Sequence, residues 1–226
     1  MAKKKDKKQD GTLENVELAL SKTEQFIEEN QKNLIIVVLA LVILIGSFWA
    51  YKRLYRLPLE QRAEKEVFQA QYYFEQDSFN LALYGDGINY GFLDIIDEYG
   101  STKIGKLSNY YAGISYLRIG QFDDAIEYLQ KVNFKDPRLD AVSKGAIGDA
   151  YSELENYEEA ISWYAKAILV NDETTTPFYL MKQGILLEKT GQNEDALQSY
   201  QTIKDKYKTS TEARQIDKYI TRVSLK

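Results

Sequence analysis

Eighteen tyrosines, no histidine and no cysteine set the chemistry open to this chain. Without imidazole there is no Ser-His-Asp triad and no histidine base. Without thiolate there is no cysteine nucleophile, no disulfide and no Cys/His zinc site. Carboxylates do cluster. Asp123, Asp124 and Glu127 form one acidic cluster, and Glu153, Glu155, Glu158 and Glu159 another. Their spacing is that of solvated helix faces rather than of an acid/base pair. No GxxxxGK[ST] phosphate loop occurs. The chain is therefore read as non-enzymatic, with no catalytic residue, metal or cofactor. Its remaining chemistry is recognition through tyrosine and aliphatic surface, since a tyrosine gives apolar area with a hydrogen-bonding tip.

Charge placement divides the 226 residues. Residues 1–33 hold seven lysines and seven acids. From Asn33 to Tyr51 no residue is charged, and Leu, Ile and Val dominate. Such a run, at about 1.5 Å per residue, reaches across most of a ~30 Å hydrocarbon layer. Trp49 and Tyr51, then Lys52, Arg53 and Arg56, stand at its end as interface anchors do. A secretory leader has a shorter apolar region and a small-residue cleavage site. Residues 34–51 are expected to be a transmembrane helix. Residues 57–226 carry 19 basic and 27 acidic side chains, a net of −8, which argues against a nucleic-acid surface.

Charge alone leaves the orientation open. Lys22 and Lys32 flank the span on one side within twenty residues, against Lys52, Arg53, Arg56, Arg62 and Lys65 on the other. Counting all of residues 1–33 reverses the balance. Within residues 12–30, Leu13, Val16, Leu20 and Ile27 share a helical stripe, and Ser21 with Glu24 has capping-box spacing. This reads either as a short amphipathic helix lying on a bilayer or a partner, or as a solvated one.

Three segments align without gaps: 109–132, 144–167 and 180–203. Gly113, Gly148 and Gly184 correspond, spaced by 35 and 36 residues, as do Ala125, Ala160 and Ala196. Tyr116, Tyr151 and Leu187 correspond, and so do Leu129, Tyr164 and Tyr200. The pattern resembles the tetratricopeptide repeat, a helix–turn–helix unit of about 34 residues. Asn109 and Lys144 depart from it where it prefers Trp, and Leu187 where it prefers Tyr. The resemblance implies small residues where helices cross and large ones beside them. Gly120 and Gly191 fall in inter-helix turns, and Pro137 is placed at the close of the first unit.

The expected fold class is all-α: one N-terminal transmembrane helix, then a tetratricopeptide-repeat solenoid with a C-terminal capping helix. Residues 60–83 read as one helix and 91–102 as another ending at Gly100, with Gly85, Gly87 and Gly91 in the loop between. Residues 57–105 are taken as a degenerate first repeat with an inserted loop, 106–208 as three repeats, and 209–226 as a cap. The cap's helix, 210–224, carries Ala213, Ile216, Tyr219, Ile220 and Val223. In that repeat family the first helices build a concave face that binds peptide segments. The positions expected on it are Leu107, Tyr110, Ile114 and Leu117; Val142, Gly145, Asp149 and Ser152; and Phe178, Met181, Ile185 and Glu188. The partner-binding candidates are Leu107, Tyr110, Ile114, Leu117, Phe178, Met181 and Ile185. These positions offer almost none of the Lys, Arg and Asn that a carboxylate-tail clamp uses.

A short N-terminal segment, one span and a compact repeat domain together resemble the YfgM-like proteins of Gram-negative bacteria. The stretch from Tyr72 to Leu117 is also similar to membrane-anchored repeat proteins of the Bacteroidota lineage. The resemblance implies a single-pass inner-membrane protein with a cytoplasmic N-terminus and residues 57–226 in the periplasm. It implies an ancillary subunit of the SecYEG translocon, with a PpiD-like membrane-anchored chaperone and emerging or unfolded polypeptides as partners. The alternative reading is a tethered scaffold for another envelope assembly or secretion machine.

Overall fold

The computed structural model describes the backbone of residues 6–225 and the side chains of 24–225. Two compact units divide at residue 58/59. Among the described residues every regular element is helical.

In the first unit, helix α1 runs from Asp6 to Tyr51, followed by a π-helical turn over Lys52–Arg56. The backbone is helical through Ser21, so the Ser21/Glu24 spacing marks no helix start and the stripe at 12–30 is no separate helix. Lysine, glutamate and glutamine through 22–32 are good helix formers, and nothing there stops propagation. Over 34–51 the apolar side chains are exposed around the whole helix, Leu44 and Ile45 at 66% and 68%. The helix is long and apolar enough to cross a membrane.

The second unit is built on one repeated turn. Helix α5 (Lys103–Arg118) is followed by α6 (Phe122–Gln130), α7 (Pro137–Glu153) by α8 (Tyr157–Ile168), and α9 (Thr175–Lys189) by α10 (Asn193–Lys206). At each junction two backbone N–H groups bond back to the outgoing helix. Gln121 N reaches Tyr116 O at 2.9 Å, Asn156 N reaches Tyr151 O at 2.9 Å, and Gln192 N reaches Leu187 O at 2.8 Å. This closure needs one residue at positive φ: Gly120 (80°), Glu155 (58°) and Gly191 (79°). Glu155 has a Cβ where the flanking repeats use glycine. Glu155→Gly is therefore expected to raise stability by about 0.5–1 kcal/mol. A denaturant midpoint that falls instead would contradict this reading of the turn.

The same turn ends α2 (Leu57–Glu75). Ser78 N bonds to Tyr73 O at 2.9 Å with Asp77 at φ 53°, and α3 (Phe79–Tyr84) follows. The single helix expected over 60–83 is thus two helices, broken at residues 76–78. Ala70, Tyr73 and Ala82 stand at the same offsets from Asp77 as Gly113, Tyr116 and Ala125 do from Gly120. The α2–α3 pair thus closes through the same turn as the later hairpins, with a second helix that stops early. Beyond it, Asp86 organises the loop 85–91. Its carboxylate accepts from Ile88 N (2.9 Å), Asn89 N (2.6 Å), Asn89 Nδ2 (2.9 Å) and Tyr73 OH (2.7 Å), which together hold it well below the usual carboxylate range. Helix α4 (Phe92–Tyr99) then buries Phe92 and Ile95 in the shared core.

Pro137 opens α7 rather than closing the unit before it. It sits at the first helical position, where a missing N–H costs nothing. Asp136 Oδ1 caps that start by accepting from Arg138 N (2.9 Å) and Leu139 N (3.1 Å). The C-terminal helix is shorter than 210–224. A 3₁₀ turn, Glu212–Gln215, precedes α11 (Ile216–Ser224), which buries Ile216 and Val223 against α10. The cap is bolted by Glu188 of α9, 8% exposed, whose carboxylate takes Arg222 Nε at 2.7 Å and Arg222 Nη2.

Candidate functional site

Each repeat glycine is a seat for a large residue of the following helix. A Cβ on Gly113 would stand 2.5 Å from Leu129 Cγ, one on Gly148 2.7 Å from the Tyr164 ring, and one on Gly184 2.5 Å from Tyr200 Cε1. Ala125, Ala160 and Ala196, all fully buried, complete the close approach from the second helices. The corresponding positions seen in the sequence are therefore contacts within each hairpin, holding its second helix against its first.

Between those three helices lies an open cleft of about 860 Å³. Tyr110, Ile114, Leu117 and Arg118 of α5 form one wall. Val142, Ala146, Asp149, Ser152 and Glu153 of α7 form the floor, with Tyr164 of α8 behind it. Phe178, Tyr179, Lys182, Ile185 and Leu186 of α9 form the far wall. Phe178 is 42% exposed, a large aromatic presented to solvent by a well-packed helix.

The polar atoms at the centre of the cleft satisfy one another. Asp149 Oδ1 accepts from Lys182 Nζ and from Tyr164 OH, each at 2.6 Å. The ammonium also lies 4.7 Å from the Phe178 ring centroid. The Tyr179 ring stacks at 6.1 Å on Tyr164 and lies over Gly145, which leaves room for it only because it has no Cβ. Burial, then the Asp149 charge, pushes the Tyr164 hydroxyl far above its ordinary range, and Tyr179 follows for the same two reasons. Burial raises Tyr200 as well, with Glu188 beside it.

These tyrosines tie stability to alkaline pH. A phenol whose folded pKa is raised contributes stability that is fully present below pH 10 and lost as pH rises from there toward the folded value. Tyr164, Tyr179 and Tyr200 are expected to stay protonated until the repeat unit unfolds. Tyrosinate absorbance should therefore rise in two phases, the later one coinciding with loss of helical circular dichroism. A single smooth titration of all tyrosines with the helix signal intact would contradict this packing.

Of the residues expected on the concave face, Tyr110, Ile114, Leu117, Phe178 and Ile185 line the cleft, as do Val142, Asp149 and Ser152. Leu107 does not: it is half-buried one turn before Tyr110 and outside the cleft. Met181 turns to the other side of α9 and packs in the C-terminal cluster with Leu180 and Leu187. Gly145 lies beneath Tyr179, and Glu188 serves the Arg222 bolt. On α9 the exposed face runs 178, 182, 185, so the step from Phe178 is four residues, not three. That phase error hid Lys182. The face holds two cations, Arg118 and Lys182, but Asp149 neutralises the second. The acidic clusters at 123–127 and 153–159 are exposed apart from their core-facing positions. No group of acids placed to hold a metal occurs among the described residues. What the cleft can do is grip apolar surface, with neutral polar groups at its centre.

Two family models, both described as tetratricopeptide repeat, match residues 110–174 and 179–210. Among solved structures, the chain is similar to the crystal structure of MamA at 19% identity and a TM-score of 0.51, over 69% of this chain and 92% of that one. That likeness is one of fold. No curated protein matches the chain significantly.

Proposed function

We propose that this tetratricopeptide-repeat protein is a membrane-tethered, non-enzymatic docking subunit of the SecYEG translocon. Repeats of this kind are protein–protein interaction scaffolds. The observation that carries the reading is a 42%-exposed Phe178 opposite Tyr110 across an 860 Å³ cleft, in a chain that also has a helix apolar enough to cross a bilayer. The span, over 34–51, would hold the chain in the inner membrane beside its partner subunits. Residues 57–226 would stand in the periplasm, next to a PpiD-like chaperone, where a translocated segment first meets water. An unfolded segment exposes apolar side chains one or a few at a time, and an aromatic-walled cleft whose central Asp149–Lys182 pair is neutral receives them without a fixed sequence.

Orientation and partnership are testable together. Protease added to spheroplasts should digest residues 57–226 while sparing 1–33, and detergent-solubilised protein should co-purify translocon subunits. Protection of 57–226 would overturn the periplasmic placement. A single dominant partner outside the translocon would favour a scaffold of another envelope machine instead.

A further inference from the structure

The cleft continues past Phe178. A second cavity of about 620 Å³ shares Val142, Phe178 and Tyr179 with the first and is closed by the start of α9 and by the segment leading into the 3₁₀ turn. Its lining changes character. Thr174, Thr209 and Thr211 bring hydroxyls with no hydrogen-bond partner among the described residues. The charged side chains of that lining are Glu173 and Glu212, and neither makes an ion pair among the described residues. The wall is held in place from behind. Asp172 Oδ1 accepts from Thr174 N (2.9 Å), Thr175 N (2.6 Å) and Thr175 Oγ1 (2.9 Å), and Arg138 Nε lies 3.6 Å from its other oxygen.

Resting on the groove reading above, we infer that the second cavity selects polypeptide segments in which an apolar run is flanked by lysine or arginine. The apolar side chains occupy the cleft between Tyr110 and Phe178. The flanking cation reaches over Phe178 to Glu173 and Glu212, and the free threonine hydroxyls bond the peptide backbone between. Charge complementarity points one way at both scales: the cavity lining is purely acidic, and residues 57–226 carry a net of −8. An acidic flank would meet two like charges with no cation in the lining to answer it.

Full-length protein in detergent is titrated with fluorescent peptides sharing the core Leu-Phe-Val-Leu and flanked at either end by two Arg, two Ser or two Glu. At low salt the Arg-flanked peptide should bind about three- to tenfold more tightly than the Ser-flanked one, the range for two exposed ion pairs. The Glu-flanked peptide should bind most weakly. In the variant Glu173→Gln/Glu212→Gln the Arg preference should fall to within about twofold, with Ser-flanked binding unchanged. A preference that survives in that variant belongs to the net charge and overturns the site. Equal binding of all three peptides overturns the inference while leaving the groove standing. Failure of every peptide to bind overturns the groove reading as well.

Discussion

Gly184→Val is expected to cost about 3 kcal/mol of stability, more than any other single substitution in the repeats we consider, through overpacking alone. The glycine sits mid-helix in α9, and its missing Cβ is filled by the Tyr200 ring, whose Cε1 stands 2.5 Å and Cδ1 3.0 Å from where that carbon would be. The ring has no room to retreat. Tyr200 is fully buried, lies 5.4 Å from the Tyr219 ring, and its hydroxyl bonds Glu188 Oε2 at 3.3 Å. Any shift of α10 to make space would disturb Ile203 and the capping helix packed in the same cluster. Gly184→Ala is the milder form. At an exposed helix site that change would stabilise by roughly 0.8–1 kcal/mol, so even a small net loss reports the clash. A double-mutant cycle with Tyr200→Ala isolates the contact, with an expected coupling of about 1–3 kcal/mol. Strict additivity in urea unfolding would show that the glycine does not seat the tyrosine.

That contact was legible in the sequence, since Gly113, Gly148 and Gly184 recur with a large residue at a constant offset in the next helix. What the sequence hid has physical causes. The α2–α3 turn was missed because Asp77 occupies the positive-φ position that glycine marks at 120 and 191. An aspartate pays little to sit there, but it carries no signal. Pro137 reads equally well as a stop or a start, and only the Asp136 cap decides it. On the concave face, residues spaced by three and by four both stay on one side of a helix. Met181 and Lys182 are then separated only by which neighbour each meets, Leu187's cluster or Asp149. Repeat spacing joins Val142 to Phe178, but the second cavity was invisible because its other walls come from the loop before α9 and from residues 209–212, which lie outside the repeat register. The long α1 was legible as an apolar run but not in its extent, because good helix formers carry it back well before the uncharged run begins at Asn33.

Phe178→Asp is expected to weaken client binding by about ten- to thirtyfold while leaving the fold intact. The side chain is 42% exposed and belongs to no buried core, so a carboxylate there is solvated and costs little in stability. Its effect falls on what the cleft can hold. Phe178 separates the two cavities and lines both, and it stands over Lys182 on the rim of the neutralised Asp149 pair. An aspartate removes the aromatic contact area and leaves an acid beside that pair. Tyr110→Asp on the opposite wall tests the same surface, although Tyr110 also contacts Phe134 at 5.6 Å and so carries some structural load. Phe178→Tyr, which keeps the ring, should bind nearly as the parent does. Anisotropy with an apolar peptide measures all three. Unchanged affinity in Phe178→Asp, with an unaltered melting curve, would place the binding surface elsewhere.

The most direct test of the central claim is photocrosslinking in native membranes carrying a secretory chain stalled in the translocon. A probe replacing Phe178 samples the cleft, and one replacing Lys166, on α8 and outside both cavities, samples the domain surface away from it. We predict adducts to the stalled chain from position 178 and few from position 166. Adducts of equal yield from both positions, or none from position 178, would contradict a tethered cleft that receives translocated polypeptides.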